Sequence, residues 1–423
     1  MDNIQLLAAQ IIAHVFAGRN LNQVLNEALR SHPSFSPQER GALQDLCYGT
    51  LRFYGQLSEM LDGLLSKPLQ DQSLRELLLV ALYQLQYSKA ASHAVVDHAV
   101  QATKKINPPA SGLVNAVLRN FLRKQPELLK LAAKTDEGRY SYPQWWVTAM
   151  KKQYGELADT VLTAGNSHPP MTLRVNTRRT SAQKYLAQLN TQDIAAQLIP
   201  PQAIQLDTPI AVDKLPGFFD GMVSVQDAGA QFAASLLDVH DGMRVLDVCA
   251  APGGKSAHLL ELRDIELLAV DKDELRLERV QENLQRLALE AELLCGDAAN
   301  PDDWWDGKLF ERILADVPCS ASGVVRRHPD IKWLRRPSDI ESFARQQQQI
   351  LQALWPLLAI NGKLLYVTCS VFARENQQVI DSFLSLHENA QQVTIAAHDL
   401  NKGQLLPNDE HDGFFYALLQ KNS

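Results

Sequence analysis

The chain has 423 residues, of which 46% are hydrophobic and 21% are charged. This length exceeds the usual size of one hydrophobic core, so two or three domains are expected, and the composition is that of an ordinary globular protein. The net charge of −7 argues against a protein coated with basic residues for nucleic-acid binding, so any such site must be local.

The first residues and the cysteines exclude several further classes. Met1–Asn20 contains the acidic Asp2 and an interrupted apolar pattern, so no signal peptide is predicted. No stretch approaches the ~20 apolar residues that cross a bilayer. The five cysteines, which form no C-x-x-C pair, are Cys47, Cys249, Cys295, Cys319 and Cys369. We therefore expect neither a metal site nor a disulfide framework, and a cytoplasmic protein.

Residues 1–135 have the pattern of successive helices. Apolar residues repeat there at the 3.6-residue period of an amphipathic helix. Three such stripes are Ile4–Val15, Leu74–Leu85 and Leu113–Leu122. Prolines fall between the stripes, where breaks belong. The sequence therefore predicts an all-helical domain.

The next segment, residues 140–220, reads as a small α+β module. The polar stretch Thr135–Ser141 predicts a linker. Trp145 and Trp146 then begin a short predicted helix, and Met171–Asn176 alternates like a strand with one covered face.

The most distinctive stretch is Val245–Ser256, which reads V-L-D-V-C-A-A-P-G-G-K-S. Its apolar start predicts a buried parallel strand, and the small residues that follow predict a tight turn into a helix. Backbone N–H groups in such a turn favour an anionic or polar cofactor group. The ending resembles a phosphate-binding P-loop, but that motif needs a glycine where Cys249 stands.

A second apolar strand, Leu267–Val270, leads to Asp271. This aspartate lies about 20 residues after the glycine turn, where a carboxylate commonly accepts hydrogen bonds from ribose hydroxyls. The dinucleotide fingerprint G-x-G-x-x-G is absent. An adenosine-type cofactor is therefore predicted.

Strands and helices continue to alternate after Asp271, which predicts a parallel α/β sheet over residues 221–423. The predicted strands end at Asp247, Asp271, Cys295 and Asp316, and two later ones cover Lys363–Val367 and Gly413–Leu419. Because ligands bind beyond the carboxyl ends of parallel strands, polar residues at these ends are expected to share one site.

Five motifs in this region together resemble the RNA cytosine-C5 methyltransferase family. They are V-L-D-V-C-A-A-P-G-G-K (245–255), the strand-end Asp271, G-D-A (296–298), D-V-P-C (316–319) and T-C-S (368–370). The stretches His93–Val100 and Gly112–Asn120 resemble the NusB-like RNA-binding domain of one branch of that family. The resemblance implies a multidomain fold: an N-terminal all-α NusB-like bundle, a small α+β module, and a C-terminal Rossmann-like class I methyltransferase.

The resemblance implies S-adenosyl-L-methionine as cofactor. Asp271 would bind the ribose hydroxyls, Asp297 would lie near the adenine amine, and Asp316 would border the pocket. The loop expected around the methionine part comprises Cys249, Ala250, Ala251, Pro252, Gly253, Gly254 and Lys255. The alternative for Asp271 and Asp297 is ordinary helix capping.

Methylation at carbon 5 of cytosine calls for a cysteine, because thiolate addition at carbon 6 makes carbon 5 nucleophilic. Cys319 and Cys369 are both candidates, and chemistry alone does not decide between them. DNA enzymes use the cysteine of P-C, whereas the RNA family uses that of T-C-S. The resemblance therefore assigns Cys369 as nucleophile and Cys319 to product release. Asp316 would hold the N4 amine or N3–H of the base, and Lys255 the base or a phosphate; otherwise Lys255 is a helix-surface lysine.

Several basic residues are predicted RNA contacts, with solvent-exposed faces as the alternative. The segment 323–333 is expected to form a flap over RNA. The predicted contacts are Arg119, Arg123, Arg174, Arg178, Arg326, Arg327 and Lys332.

The resemblance points to the bacterial branch that acts on small-subunit ribosomal RNA, hence to a monomer acting on free or early-assembly 16S rRNA. Open alternatives are a transfer RNA or another RNA, a non-catalytic assembly factor, and a P-loop nucleotidase.

Overall fold

The structure is a computed structural model that describes residues 3–200, 202–395, 400 and 402–423. The first two residues of the predicted helical domain therefore lie outside the described residues. The chain forms two compact units. The helical unit comprises residues 1–168 and 325–335, and the sheet unit comprises residues 169–324 and 336–423. The boundaries predicted near residues 135 and 220 stay a prediction.

The helical unit confirms the predicted run of helices. Its helices are α1 (Ile4–Phe16), α2 (Leu21–Ser31), α3 (Pro37–Arg52), α4 (Tyr54–Asp62), α5 (Gln72–Tyr87), α6 (Ser92–Ile106), α7 (Ser111–Ala132), α8 (Asp136–Tyr140), α9 (Gln144–Tyr154) and α10 (Ala158–Ala164), with a single helical turn at Ile331–Leu334. No described helix in either unit has the length and apolarity to span a membrane.

Local sequence explains where these helices begin. Asn3 caps α1 by accepting the backbone N–H of Leu6. Ser36 and Glu39 form a capping box at the start of α3, with Pro37 in the first turn, where its missing N–H costs nothing. The apolar stripes then pack together into one buried core.

The segment predicted as a linker is helical instead. Thr135 accepts the backbone N–H of Gly138, and two acidic residues occupy the first turn of α8, where negative charge is favourable. The polar composition of this stretch therefore reflects a capped single-turn helix rather than an open connection.

The sheet unit begins with a small antiparallel sheet. Its strands are β1 (Met171–Val175), β2 (Ala196–Ile199), β3 (Ala203–Leu206) and β4 (Val223–Val225), in the order β2-β3-β1-β4, with α11 (Ala182–Asn190) between β1 and β2 in the chain. The predicted strand at Met171 is confirmed, although nearly all of β1 is buried.

A larger sheet follows. Its strands are β5 (Arg244–Val248), β6 (Glu266–Asp271), β7 (Glu292–Cys295), β8 (Phe310–Asp316), β9 (Leu358–Thr368), β10 (Ala390–Val393), β11 (Gln404–Leu405) and β12 (Phe414–Lys421). The helices around it are α12 (Ala228–Leu236), α13 (Gly254–Leu262), α14 (Glu274–Leu287), α15 (Pro337–Leu354) and α16 (Gln377–Leu386). The strand order is β10-β12-β9-β8-β5-β6-β7, and β11 pairs with β12.

The central strands β5 to β9 are parallel, whereas β12 inserts antiparallel beside β9. Apolar side chains cover both faces of the sheet, which is typical of parallel strands. Leu246 of β5 packs in the core on the α15 side, and Val245 packs in the core that contains α13 and α14. The parallel strands consequently end at one edge, where the predicted site residues meet.

Candidate active site

The turn from β5 to α13 forms one wall of the site. Cys249 and Gly253 adopt positive φ angles of 57° and 89°. A Cβ atom on Gly253 would lie 2.9 Å from Cγ1 of Val280, so both the backbone angle and the space require glycine. The backbone N–H of Ala251 donates to Asp271 at 3.1 Å, which ties the turn to the end of β6.

A cleft opens beside this turn. It is lined by Cys249, Asp271, Lys272, Arg276, Gly296, Asp297, Ala298, Pro318, Gln346 and Ile350. Asp271 is 2% exposed and accepts backbone N–H groups at both oxygens, from Ala251 and Asp273. Its buried carboxylate still has acceptor capacity for sugar hydroxyls, so the chemistry of the cleft suits the ribose of an adenosine group.

Asp297 lies at the mouth of the same cleft. It is exposed, and its Oδ1 accepts the backbone N–H of Ala299 at 2.9 Å. That bond matches the capping alternative, whereas the position beside Asp271 matches the cofactor interpretation.

Burial raises the pKa of the nearby Cys249 thiol to about 12, so this cysteine stays a neutral, packed side chain.

Lys255 and Asp316 form an ion pair between the start of α13 and the end of β8, with Nζ 2.5 Å from Oδ2. Burial lowers the pKa of Lys255, but Asp316, followed by Cys369 and Asp247, raises it, and the net shift is upward. The ammonium is therefore a permanent cation close enough to Cys369 to interact with a thiolate.

The two predicted cysteines meet at the same edge of the sheet. Cys319 follows β8 and Cys369 follows β9, and their Sγ atoms are 3.4 Å apart. The hydrogen bond to Cys369 and burial together hold the pKa of Cys319 well above its usual range. Cys319 is therefore a neutral thiol that can donate or exchange a proton, beside a second thiol near a cation.

Buried polar residues behind the cysteines were missed by the sequence analysis. Glu375, Ser320, Ser322 and Ser370 are fully or almost fully buried and hydrogen-bonded together. The only local signal is the position of two of the serines, each directly after a cysteine. We call these four residues the serine–glutamate cluster.

Arg174 does not lie on an RNA-facing surface, which corrects its predicted role. It is 2% exposed, and its guanidinium donates two 2.8 Å hydrogen bonds to Glu261 and one of 2.6 Å to Gly254 O. Alternation along β1 suggested an exposed side, but α13 covers that face. Arg174 therefore supports the start of α13.

The predicted flap is also corrected at two of its basic residues. The segment 325–335 belongs to the helical unit, where Arg326 and Lys332 are 1% and 0% exposed. Lys332 donates to Arg52 O at 2.7 Å and to Asn166 at 2.8 Å, and burial lowers its pKa well below the usual value. These two buried side chains hold the segment within the helical unit and are not presented to RNA.

The remaining predicted RNA contacts are more accessible. Arg119 and Arg123 are exposed on α7, and Arg119 also bonds Asn115 at 2.9 Å. Arg178 is 40% exposed and pairs with Asp264 at 2.6 Å. Arg327 is half-buried in the helical unit. No group of His, Cys, Asp or Glu within the described ranges could hold a metal ion.

The site of the sheet unit thus combines a cleft suited to adenosine, a fixed cation–carboxylate pair and two adjacent thiols. Such a set can bind a small cofactor, orient a polar ring and form a transient bond to carbon.

Comparison with protein families matches three parts of the chain. Residues 234–420 match the family described as 16S rRNA methyltransferase RsmB/F. Residues 142–213 match a ferredoxin-like domain of RsmF/B-like methyltransferases, and residues 2–123 match the NusB family. The predicted fold class is confirmed: an N-terminal NusB domain, a small α+β module and a Rossmann-like methyltransferase fold.

Whole-length relatives support the same domain organisation. The chain is 44% identical over 429 residues to the ribosomal RNA small subunit methyltransferase B of Yersinia enterocolitica, covering 99% of both chains. The crystal structure of PH0851 shares the fold over 100% of this chain and 99% of that one, with a TM-score of 0.80 at 22% identity. A methyltransferase homologue from Pyrococcus horikoshii is 27% identical, with a TM-score of 0.60, over 67% of this chain and 97% of that one.

Proposed function

Because the chain belongs to the 16S rRNA methyltransferase RsmB/F family, we propose that it methylates carbon 5 of a specific cytosine in 16S ribosomal RNA. We further propose that it acts in the cytoplasm, as a monomer, on free or early-assembly RNA. The observation that carries the proposal is the pair of thiols, Cys319 and Cys369, which lie 3.4 Å apart beside the Lys255–Asp316 ion pair.

The proposed cofactor is S-adenosyl-L-methionine, which supplies an electrophilic methyl group when bound. Asp271 would accept hydrogen bonds from the ribose hydroxyls, and Asp297 would lie near the adenine amine. The backbone turn from Cys249 to Lys255 would surround the methionine part, since Gly253 brings the main chain close where no side chain fits.

In the proposed reaction Cys369 bonds through Sγ to carbon 6 of the cytosine, which converts carbon 5 into a nucleophilic enamine carbon. Lys255 stabilises the thiolate, while Asp316 holds the N4 amine or the N3 proton of the ring. Methyl transfer to carbon 5 would break the sulfonium–methyl bond and leave the cofactor as a neutral thioether. A base would then take the proton from carbon 5, the electron pair would reform the carbon 5–carbon 6 double bond, and the Cys369 thiolate would leave carbon 6 with the assistance of Cys319. The base must leave its stack for both of its reacting carbons to be reached.

Methyl transfer to defined RNAs tests this proposal. Purified protein would be incubated with labelled cofactor and either 16S rRNA fragments or a transfer RNA pool, followed by nucleoside analysis. We expect label in 5-methylcytosine from 16S rRNA. Label confined to transfer RNA would redirect the substrate, and RNA binding without any transfer would favour a non-catalytic assembly factor. Tight ATP binding would support the alternative function of a P-loop nucleotidase.

A further inference from the structure

A single buried carboxylate connects the two loops that carry the thiols. Oε1 of Glu375 accepts the backbone N–H of Ser320 at 2.7 Å. Oε2 accepts the hydroxyls of Ser320 at 2.5 Å and Ser370 at 2.6 Å. Ser320 directly follows Cys319, and Ser370 directly follows Cys369. One side chain is therefore bonded to the residue after each thiol.

Further bonds hold this arrangement in place. Ser322 Oγ lies 3.0 Å from the hydroxyl oxygens of both Ser320 and Ser370, and it accepts the backbone N–H of Val371 at 2.9 Å. The main chain of Glu375 is fixed as well, because Tyr366 donates its hydroxyl to Glu375 O at 2.5 Å. The serine–glutamate cluster is thus anchored on the loops after both β8 and β9.

We propose that Glu375 is the positioning residue of the two catalytic thiols: it holds the loops at the separation that leaves the Sγ atoms of Cys319 and Cys369 3.4 Å apart. The inference rests on the proposed function, in which both thiols act on one base. Glu375 is 0% exposed and lies behind the thiols, so it acts through them rather than on substrate.

Apolar packing would join the two loops without the free-energy cost of burying a carboxylate. Burial raises the pKa of Glu375, so an ionised carboxylate here costs free energy that only its donors offset. Such a group specifies one geometry, because losing any donor leaves a buried acceptor unsatisfied. Catalysis needs that precision, since a misplacement of ~1 Å can lower a rate by about 10²-fold.

The variant Glu375→Gln tests the proposal at nearly constant size. Its amide group cannot accept hydrogen bonds at both positions, so the hydrogen bonds that join the two loops must rearrange. We expect kcat to fall by about 10²-fold, with cofactor affinity and the KM for RNA within about twofold of wild type. The matched control is Glu341→Gln, an exposed carboxylate paired with Arg374 at 2.8 Å, which should leave kcat unchanged.

Thiol oxidation provides a second readout that needs neither RNA nor methyl transfer. Diamide takes two electrons and two protons from a pair of thiols, which become a disulfide, while the reagent becomes a hydrazine. Wild-type protein should form the Cys319–Cys369 disulfide readily, as detected by mass spectrometry of the linked peptides. Glu375→Gln should form it about tenfold more slowly, because disulfide geometry tolerates little change in spacing.

The two readouts separate the possible failures. Wild-type kcat and a wild-type oxidation rate in Glu375→Gln would overturn the inference. Slowed oxidation in a protein whose wild type methylates no RNA would support the positioning role and sink the proposed function. If Glu375→Gln no longer binds cofactor, Ser320→Ala and Ser370→Ala decide instead. Each removes one hydroxyl from the carboxylate, and unchanged oxidation in both would refute the role.

Discussion

The ammonium of Lys255 lies 2.5 Å from a carboxylate oxygen of Asp316, so a residue of the glycine turn and a residue of the D-V-P-C motif form one ion pair. The pair spans the start of α13 and the end of β8. It thereby joins the proposed cofactor wall to the proposed base-binding wall, and altering either residue removes the ion-pair partner of the other.

Replacing Lys255 tests the electrostatic part of the site. Lys255→Met should lower kcat by about 10²-fold or more, because a charge aimed at reacting groups in a partly buried site contributes several kcal/mol. Lys255→Arg keeps the charge and should recover part of the rate. The exposed Lys308, 78% accessible, offers a control in Lys308→Met. Single-turnover methylation measures all three, and a wild-type rate in Lys255→Met would exclude the assigned role.

Arg174 should matter for stability rather than for RNA affinity. Arg174→Met would leave Glu261, itself only 2% exposed, as an unpaired buried charge, at a cost of about 3–5 kcal/mol. The melting temperature of the protein should drop clearly. Arg178→Ala, which removes an exposed ion pair, should cost at most ~1 kcal/mol and reduce the salt dependence of RNA binding instead. Thermal unfolding and RNA titrations at several salt concentrations measure the two effects. A large loss of stability in Arg178→Ala, together with a loss of only RNA affinity in Arg174→Met, would contradict the prediction.

Glu76 makes the stability of the helical unit depend on pH. Burial raises its pKa from 4.5 to about 7, more than its hydrogen bonds from Tyr54 and Gln72 lower it. Between these two values the unfolded chain has lost the proton and the folded chain retains it. Stability therefore falls by about 3 kcal/mol as pH rises through this window, and is constant above it.

The variant Glu76→Gln lacks this titration. Its melting temperature relative to wild type should increase from pH 4.5 to about 7 and then level off. Glu127→Gln, which replaces an exposed carboxylate on α7, provides the matched control. A difference between Glu76→Gln and wild type that does not change with pH would contradict the burial argument.

The edge of the sheet could be predicted because its residues follow local rules. Apolar runs that end at Asp271 and Asp316 mark parallel strands, and parallel strands end together. Cys319 and Cys369 are 50 residues apart in the chain, yet each directly follows a recognisable strand. The order and direction of the strands were therefore enough to predict that the two cysteines lie close together.

Residues whose partners are distant in sequence could not be placed. Lys332 bonds to Arg52 and Asn166, which lie 280 and 166 residues away. A run of basic residues after β8 therefore resembled an exposed flap, although tertiary packing buries two of them. Glu375 was missed for the same reason, since its connection to Ser320 spans 55 residues and no motif announces it.

The measurement that addresses the central claim most directly is trapping of a covalent protein–RNA complex. Protein, cofactor and 16S rRNA fragments would be mixed, denatured, and resolved by electrophoresis. Cys319→Ala should accumulate an adduct, because addition at carbon 6 proceeds while release is blocked, and Cys369→Ala should give none. An adduct with Cys369→Ala but not with Cys319→Ala would contradict the assignment of Cys369 as nucleophile.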